Sequence, residues 1–204
     1  FGIPSGKIFD LYANNTHLWI GSSRGLARIN RATLREDPIG IESIFQNLSI
    51  FDIDSIDNSL WFATQAGVFI YSNIHSQLMQ MSDIGRKNFP EQLRNVASID
   101  YYDGEVFVAS DIGIVKYDME EREWNLLFTS GIYRNQNIFS MELNEKFIFL
   151  GTDSGLIKIN KRTGLVSDYE FPFIGRVFNI IVDGKEIWLG TSNGLIKFLW
   201  KRHL

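Results

Sequence analysis

The stretch that decides the fold is Ile187-Trp188-Leu189-Gly190-Thr191-Ser192-Asn193-Gly194-Leu195, near the C-terminus. Its pattern is an apolar residue, an aromatic, an apolar residue, a small residue, a hydroxyl residue, two variable residues, a glycine and an apolar residue. The same pattern occurs in four earlier copies, at residues 18–26, 60–68, 106–114 and 148–156. Repetition of one phrase along the whole chain predicts a repeat protein.

A second signal accompanies the phrase at a fixed distance. A short apolar segment ends eight residues before the aromatic residue in every copy, and these segments are 8–11, 50–53, 96–99, 138–141 and 177–180. The closing glycines fall at 25, 67, 113, 155 and 194, so the intervals between them are 42, 46, 42 and 39. The period is therefore close to that of a propeller blade.

Each repeat unit has the pattern of four short β-strands. The apolar segment, the aromatic strand and the strand after the closing glycine form the first three, and Asp103-Gly104 and Asp183-Gly184 are strong hairpin signals between the first two. We expect weaker fourth strands at 42–45, 77–80, 123–127 and 166–169. No helical stripe of useful length is present.

These features predict an all-β protein, a β-propeller of five repeated four-stranded antiparallel blades. We expect one domain over residues 1–204, with repeat units at approximately 7–48, 49–94, 95–136, 137–175 and 176–204. The last blade is predicted to be incomplete, because only ten residues follow Gly194. Residues 1–4 offer a short stub for it, and both a small ring and part of a larger propeller remain open.

The small residue of the phrase suggests a packing role. At Gly21, Ala63, Ala109, Gly151 and Gly190 a bulky residue of the neighbouring blade needs a recess, and we expect Phe9, Phe51, Phe139 or Phe178 to fill it. The segments that open each unit also repeat a small polar residue at positions 10, 52, 98, 140 and 179. We interpret this position as a source of hydrogen bonds inside the array.

Composition limits the function. The net charge of −4 argues against a nucleic-acid-binding surface, which needs a concentrated basic face. The absence of Cys excludes disulfides and thiolate metal sites, and no apolar run reaches the length of a membrane helix. Because residue 1 is not Met and no signal peptide is visible, we interpret the chain as an excised domain, a processed product or a fragment.

The phrase resembles the two-component regulator propeller repeat, which reads Leu-Trp-Ile-Gly-Thr-x-x-Gly-Leu after Gly-Leu-Pro-Ser-x-x-Val. Residues 2–8 match the linker, and residues 18–26 and 187–195 match the core. Departures are Phe at 107 and 149 and Ala at 63 and 109. The resemblance implies the extracytoplasmic β-propeller sensor of hybrid two-component systems, located in the periplasm or outside the cell, with carbohydrate as a candidate ligand. Similar repeats also occur in secreted or periplasmic propellers without a kinase.

The polar residues fall into two sets. In propellers the linker into each first strand and the turn after each second strand emerge on the same face. We therefore expect an inner ring at the mouth of the channel from Lys7, Ser49, Asn95, Asn137 and Arg176. We expect an outer ring from Arg24, Gln65, Asp111, Asp153 and Asn193. The predicted ligand-binding residues are Lys7, Asn95, Asn137, Arg176, Arg24, Asp111, Asp153 and Asn193, whose side chains suit hydroxyl-rich or anionic ligands.

Catalytic and metal chemistry are poorly supported. His17, His75 and His203 occupy different repeat positions and form no metal-ligand spacing. The run Asp52-Ile53-Asp54-Ser55-Ile56-Asp57 fails the EF-hand calcium pattern. We expect no metal, no cofactor and no enzyme activity.

The sequence thus predicts a ligand-binding propeller that takes a small molecule or glycan and acts with a neighbouring domain. The alternative is a protein–protein interaction scaffold, with Ile84 and Phe89 in the longest linker, residues 81–92, as candidate anchors.

Overall fold

The computed structural model describes residues 6–84 and 87–200. It is an all-β chain of five antiparallel sheets, each a β-propeller blade, with strands hydrogen-bonded in sequence order. Blade 1 contains β1 (Ile8–Ala13), β2 (His17–Ser22), β3 (Gly25–Asn30) and β4 (Arg35–Glu36). Blade 2 contains β5 (Ile50–Ile56), β6 (Ser59–Thr64), β7 (Gly67–Ser72) and β8 (Gln77–Gln80), followed by a one-turn helix α1 (Met81–Ile84).

The remaining blades repeat this order. Blade 3 contains β9 (Ser98–Tyr102), β10 (Glu105–Ser110), β11 (Gly113–Asp118) and β12 (Glu123–Thr129), followed by a 3₁₀ turn at Ser130–Tyr133. Blade 4 contains β13 (Ile138–Leu143), β14 (Phe147–Thr152), β15 (Gly155–Asn160) and β16 (Val166–Glu170). Blade 5 contains β17 (Val177–Asp183), β18 (Glu186–Thr191) and β19 (Gly194–Phe198).

The chain forms two compact units, residues 1–99 and 100–204. In the first unit, one hydrophobic core joins blades 1 and 2, and its buried residues include Trp19, Phe45 and Phe62. In the second unit, one core joins blades 3 and 4 and includes Phe107 and Leu150. A further core of that unit packs Phe149 of blade 4 against blade 5. The predicted single domain over residues 1–204 stays a prediction.

The repeated phrase closes a turn in the same way in all five blades. The hydroxyl of its Ser or Thr donates a hydrogen bond to the carbonyl oxygen of the closing glycine, over 2.8–3.2 Å in the five copies. Each closing glycine has a positive φ, between 115° at Gly194 and 155° at Gly155. Residues with a Cβ atom rarely adopt this conformation, so the turn requires glycine at this position. The turn places no such requirement on the two residues before it, which differ between the copies.

The small residue of the phrase provides the recess that its pattern predicted, but a different residue fills it. A Cβ atom at Gly21 would lie 3.0 Å from the carbonyl oxygen of Ile50, and one at Gly151 would lie 2.5 Å from that of Val177. Both neighbours open the first strand of the next blade. The expected phenylalanines instead contact each other, as in the pair Phe9–Phe51 with ring centroids 5.1 Å apart.

The repeated polar position forms hydrogen bonds between blades, as expected. Asp10 Oδ2 accepts the backbone N–H of Ile53 at 2.9 Å, and Asp52 Oδ2 accepts that of Ile99 at 2.8 Å. In blade 3 the bond comes from Asp100, two residues after the repeated position, and its Oδ2 accepts the backbone N–H of Leu143 at 2.7 Å. Side-chain carboxylates thus satisfy backbone donors that lie outside the ladder of their own sheet.

The fourth strand of blade 1 was wrongly predicted at 42–45. Strand β4 comes earlier and is short, and residues 42–47 form turns. The carboxylate of Glu42 accepts the backbone N–H groups of Ile39 and Gly40, which stabilises a turn, while Phe45 is buried in the core. The other three fourth strands lie close to their predicted positions. Blade 5 has three strands among the described residues, as expected, and the suggested stub at residues 1–4 lies outside them.

Two glycine substitutions test the recess. Gly151→Ala should lower the free energy of unfolding by about 1–3 kcal/mol, because the new methyl group overlaps the backbone of blade 5. Gly190→Ala changes the same phrase position, where the nearest atom is Asn179 Cβ at 3.3 Å, and should cost clearly less. Urea unfolding of both variants measures the difference; equal losses would contradict the recess.

Candidate functional site

The linker into a blade and the turn after its second strand lie side by side. In blade 1 the backbone N–H of Ser23 donates to the carbonyl oxygen of Lys7 at 2.9 Å, and in blade 5 that of Ser192 donates to Arg176 at 2.9 Å. In blade 2 the pair is Gln65 and Ser49, at 3.1 Å. These bonds hold one linker residue and one turn residue together at the end of each of these sheets.

In the second unit three of the predicted binding residues meet in one cluster. Both the backbone N–H and the side-chain amide of Asn137 donate to Asp153 Oδ2, at 3.0 and 2.8 Å. Arg176 Nε lies 3.4 Å from Asp153 Oδ1, so the carboxylate is held between an amide and a guanidinium group. Arg176 comes from the linker into blade 5, and its guanidinium carbon lies 6.0 Å from the ring centroid of Phe139. We call Asn137, Asp153 and Arg176 the Asp153 cluster.

Further polar groups lie beside the Asp153 cluster. Ser154 Oγ donates to Gln136 Oε1 at 3.0 Å, and Gln136 Nε2 donates to Glu170 Oε1 at 2.5 Å. Arg134 Nη1 pairs with Asp168 Oδ2 at 2.5 Å. The linker into blade 4, the turn after its second strand and its last strand therefore carry several paired donors and acceptors, which suits a ligand with several hydroxyl or carboxylate groups.

Asn193 lies in the corresponding turn of blade 5, next to an aromatic pair that the sequence did not reveal as functional. Its side-chain amide donates to the carbonyl oxygen of Phe173 at 3.1 Å. The rings of Phe171 and Phe173 are stacked, with centroids 5.5 Å apart, and both are exposed. The only sequence signal was the Phe-Pro-Phe run in a linker, where apolar side chains have few neighbours to bury them.

The other four predicted residues are exposed as well. Lys7 Nζ lies 5.3 Å from the ring centroid of Phe9, and the carbonyl oxygen of Arg24 accepts the backbone N–H of Asn47. Asn95 bonds through its backbone N–H to Gln65, and Asp111 lies in the turn of blade 3. The prediction that all eight residues line one mouth stays a prediction.

Carboxylates of blades 1 and 2 form the most perturbed electrostatic feature. Burial, together with the nearby charge of Asp10, raises the pKa of Asp52 to about 7, although the hydrogen bonds from Ser98 and Ile99 lower it. Burial also raises the pKa values of Asp10 and Asp54. Within residues 6–84 and 87–200, no three His, Asp or Glu side chains are placed to hold a metal ion.

His17 has a structural partner. Its Nε2 lies 2.7 Å from Asp37 Oδ2, and Arg28 Nη2 lies 2.9 Å from the same oxygen. The hydrogen bond from His17 lowers the pKa of Asp37, with a smaller contribution from the charge of Arg28. In the described part of the chain, no helix has the length and apolar character needed to cross a membrane.

Comparison with known proteins shows the fold. No family model matches the chain, and no curated protein matches it in sequence. Among solved structures, the extracellular domain assigned to the hybrid two component system BT4673 of B. thetaiotaomicron has a TM-score of 0.71 at 19% identity over 94% of this chain. The corresponding domain of BT3049 has a TM-score of 0.68 at 16% identity over 100% of it. A chain of a nidogen/laminin complex has a TM-score of 0.72 at 13% identity over 99% of it.

The chain spans 26% of the BT4673 domain and 29% of the BT3049 domain, but 79% of the chain from the nidogen/laminin complex. At these identities the likeness concerns the fold. On that level it agrees with the resemblance carried by the repeated phrase.

The pKa of Asp52 predicts a dependence of stability on pH. Because the folded state holds this proton more tightly than the unfolded state, its stabilising contribution is present at acidic pH and is lost as the pH rises through about 7. A pKa that is about three higher in the folded state corresponds to about 4 kcal/mol of unfolding free energy. We expect a change of about 1–3 kcal/mol, because Asp52 keeps some contact with solvent. Thermal unfolding between acidic and mildly alkaline pH measures the change.

Asp52→Asn keeps an acceptor for Ile99 and removes the charge, so it should flatten this pH dependence and stabilise the alkaline form. Asp57→Asn, in an exposed turn, is the matched control and should leave the profile unchanged. An unaltered profile in the Asp52 variant would show that another group is responsible.

Proposed function

We propose that this chain is a non-enzymatic ligand-binding β-propeller that forms part of the extracytoplasmic sensor region of a two-component signalling protein. The observation that carries the proposal is the exposed Asp153 cluster, which joins residues of blade 4 to the linker of blade 5. Its three side chains offer an amide, a carboxylate and a guanidinium group within one hydrogen-bonded set. Such a set recognises polar ligands by direction as well as by charge.

The chemistry of the cluster favours a ligand rich in hydroxyl groups, with carbohydrate as the first candidate. Arg176 keeps 60% of its side-chain surface exposed, so its guanidinium group is accessible to a further acceptor. Asp153 is about one-third exposed, and its carboxylate is an acceptor for a hydroxyl. A guanidinium group beside a carboxylate matches vicinal hydroxyls, or a hydroxyl beside a sugar carboxylate.

Signalling would follow from the position of the cluster. Asn137 and Asp153 belong to blade 4, whereas Arg176 precedes blade 5. A ligand that contacts both sides favours one relative placement of these two blades and shifts the population toward it. A neighbouring domain would receive this change. The likeness to extracellular domains of hybrid two-component systems supports this role and a location in the periplasm or outside the cell.

The second candidate function is a protein–protein interaction scaffold. The exposed stacked pair Phe171 and Phe173 favours it, because neighbouring exposed aromatic rings are typical anchors of protein interfaces. The longest linker is a weaker candidate: its predicted anchor Phe89 is partly buried, and the side chain of the other, Ile84, lies outside the described part of the structure. Loss of a partner's binding in Phe173→Ala, with sugar binding absent from the wild type, would favour the scaffold.

Substitution of Arg176 tests the ligand site. We expect Arg176→Gln to weaken binding of a responsive oligosaccharide about tenfold, equivalent to about 1.4 kcal/mol, because the charged donor is lost. A panel of neutral and uronic-acid-containing oligosaccharides is screened by thermal shift, and any that respond are measured by calorimetry.

Arg162→Gln is the control, since this exposed arginine lies in the turn between β15 and β16 of blade 4, away from the Asp153 cluster. Equal affinity in both variants would remove Arg176 from the site. Absence of any response across the panel would count against sugar sensing itself.

A further inference from the structure

Lys158 of blade 4 is the one charged side chain that is buried among the residues that the structure describes, with 4% of its surface exposed. A lysine is almost never buried unless its ammonium group has a partner, because the charge loses its hydration. The surroundings of Lys158 must therefore supply the stabilisation that water no longer gives.

The equivalent lysines of blades 3 and 5 each pair with a carboxylate. Lys116 pairs with Glu105, and Lys197 pairs with Glu186 at 2.7 Å. Both glutamates open the second strand of their blade. In blade 4 the second strand opens with Phe147, so an aromatic ring takes the place of the carboxylate.

Three aromatic rings surround the ammonium group of Lys158. Its Nζ lies 5.1 Å from the ring centroid of Phe147, 5.5 Å from that of Tyr169 and 5.7 Å from that of Trp200. At such distances the negative face of an aromatic ring attracts a cation. We call Phe147, Tyr169 and Trp200 the Lys158 cage.

One wall of the Lys158 cage comes from beyond the strands of blade 5. Strand β19 ends at Phe198, and Trp200 follows it. Trp200 is 2% exposed and makes T-shaped contacts with Phe147 and Phe149 of blade 4, with ring centroids 5.4 and 5.3 Å apart. Residues 199–200 therefore reach back onto blade 4, and we call them the Trp200 strap.

We propose that the Lys158 cage is a binding site for an alkylammonium group, that Lys158 of the same chain is its ligand, and that this contact holds the Trp200 strap on blade 4. The charge is essential, since a neutral side chain at position 158 would pack on the rings without attracting them electrostatically. All of these residues belong to the second unit. The cage includes the first residue of β14, whereas Asp153 follows the last, so it is separate from the Asp153 cluster.

Chemical rescue tests the ligand of the cage. Lys158→Ala removes the part of the side chain that n-propylammonium replaces, so this cation should raise the melting temperature of the variant in a saturable manner. n-Propanol, which has a similar size and no charge, should not do so, nor should sodium chloride at the same ionic strength. If the variant does not fold alone, its refolding is compared in the amine and in the alcohol. Equal effects of the two compounds, or no effect of either, overturn the proposal.

Acylation of lysine amines tests the strap. In the wild type, an N-hydroxysuccinimide ester should label Lys158 at least about tenfold more slowly than Lys197, whose side chain is 45% exposed. Trp200→Leu opens the cage, so labelling of Lys158 should become at least about tenfold faster. Trp188→Leu is the matched control and should leave this rate unchanged, because Trp188 lies beside Lys197 rather than in the cage.

The conservative variant Trp200→Phe keeps a ring in the cage and should leave Lys158 protected. Thermal unfolding shows whether each variant is folded under the labelling conditions. Wild-type Lys158 that is labelled as fast as Lys197 overturns the proposal. A folded Trp200→Leu variant that keeps Lys158 protected, or a Trp188→Leu variant that exposes Lys158 to the same extent, overturns it as well.

Discussion

The structure depends on the close approach between the glycine of the phrase in blades 1 and 4 and the aliphatic residue that opens the next blade. At Gly151 this approach leaves no room for a Cβ atom, and at Gly21 the backbone of Ile50 lies against the glycine. With sheets this close, a short carboxylate such as that of Asp10 or Asp100 reaches a backbone N–H of the neighbouring blade. The packing of neighbouring sheets and the hydrogen bonding of these backbone N–H groups thus both follow from this close approach, which the repeated phrase makes possible.

The blades were predictable because two offsets recur in every copy, and each has a local physical cause. A hydroxyl that bonds the carbonyl oxygen of the closing glycine needs a fixed spacing, and so does the hairpin before it. The fourth strand of blade 1 was predicted at the wrong residues, because the path of the chain there is set by the side chain of Glu42 and by burial of Phe45. Neither contact belongs to the repeated sequence pattern. Outer strands pack on fewer neighbours, so their sequences carry weaker signals.

Candidate site residues were predictable within a blade but not between blades. The linker residue and the turn residue of one sheet are neighbours by topology, which explains why Asn137 and Asp153 were expected at the same end of their sheet, although in two separate rings. The approach of Arg176 to Asp153 depends on how blade 5 packs on blade 4, and no spacing encodes it. The exposure of Phe173 and Leu195 likewise depends on what lies beside blade 5, so the same apolar residue type is core in one repeat and surface in another.

The polar link between neighbouring blades is not equally strong along the chain. Carboxylates make the links at Asp10, Asp52 and Asp100 over 2.7–2.9 Å, whereas at blade 4 the hydroxyl of Ser140 reaches the carbonyl oxygen of Val177 at 3.4 Å. A neutral and longer hydrogen bond resists displacement less than a charge-assisted one. The ion pair of Arg176 with Asp153 spans the same joint between blades 4 and 5, so this joint has one charged link and one neutral link. A ligand that draws either partner out of the ion pair would therefore leave the longer, neutral hydrogen bond of Ser140 as the remaining described polar link between these two blades.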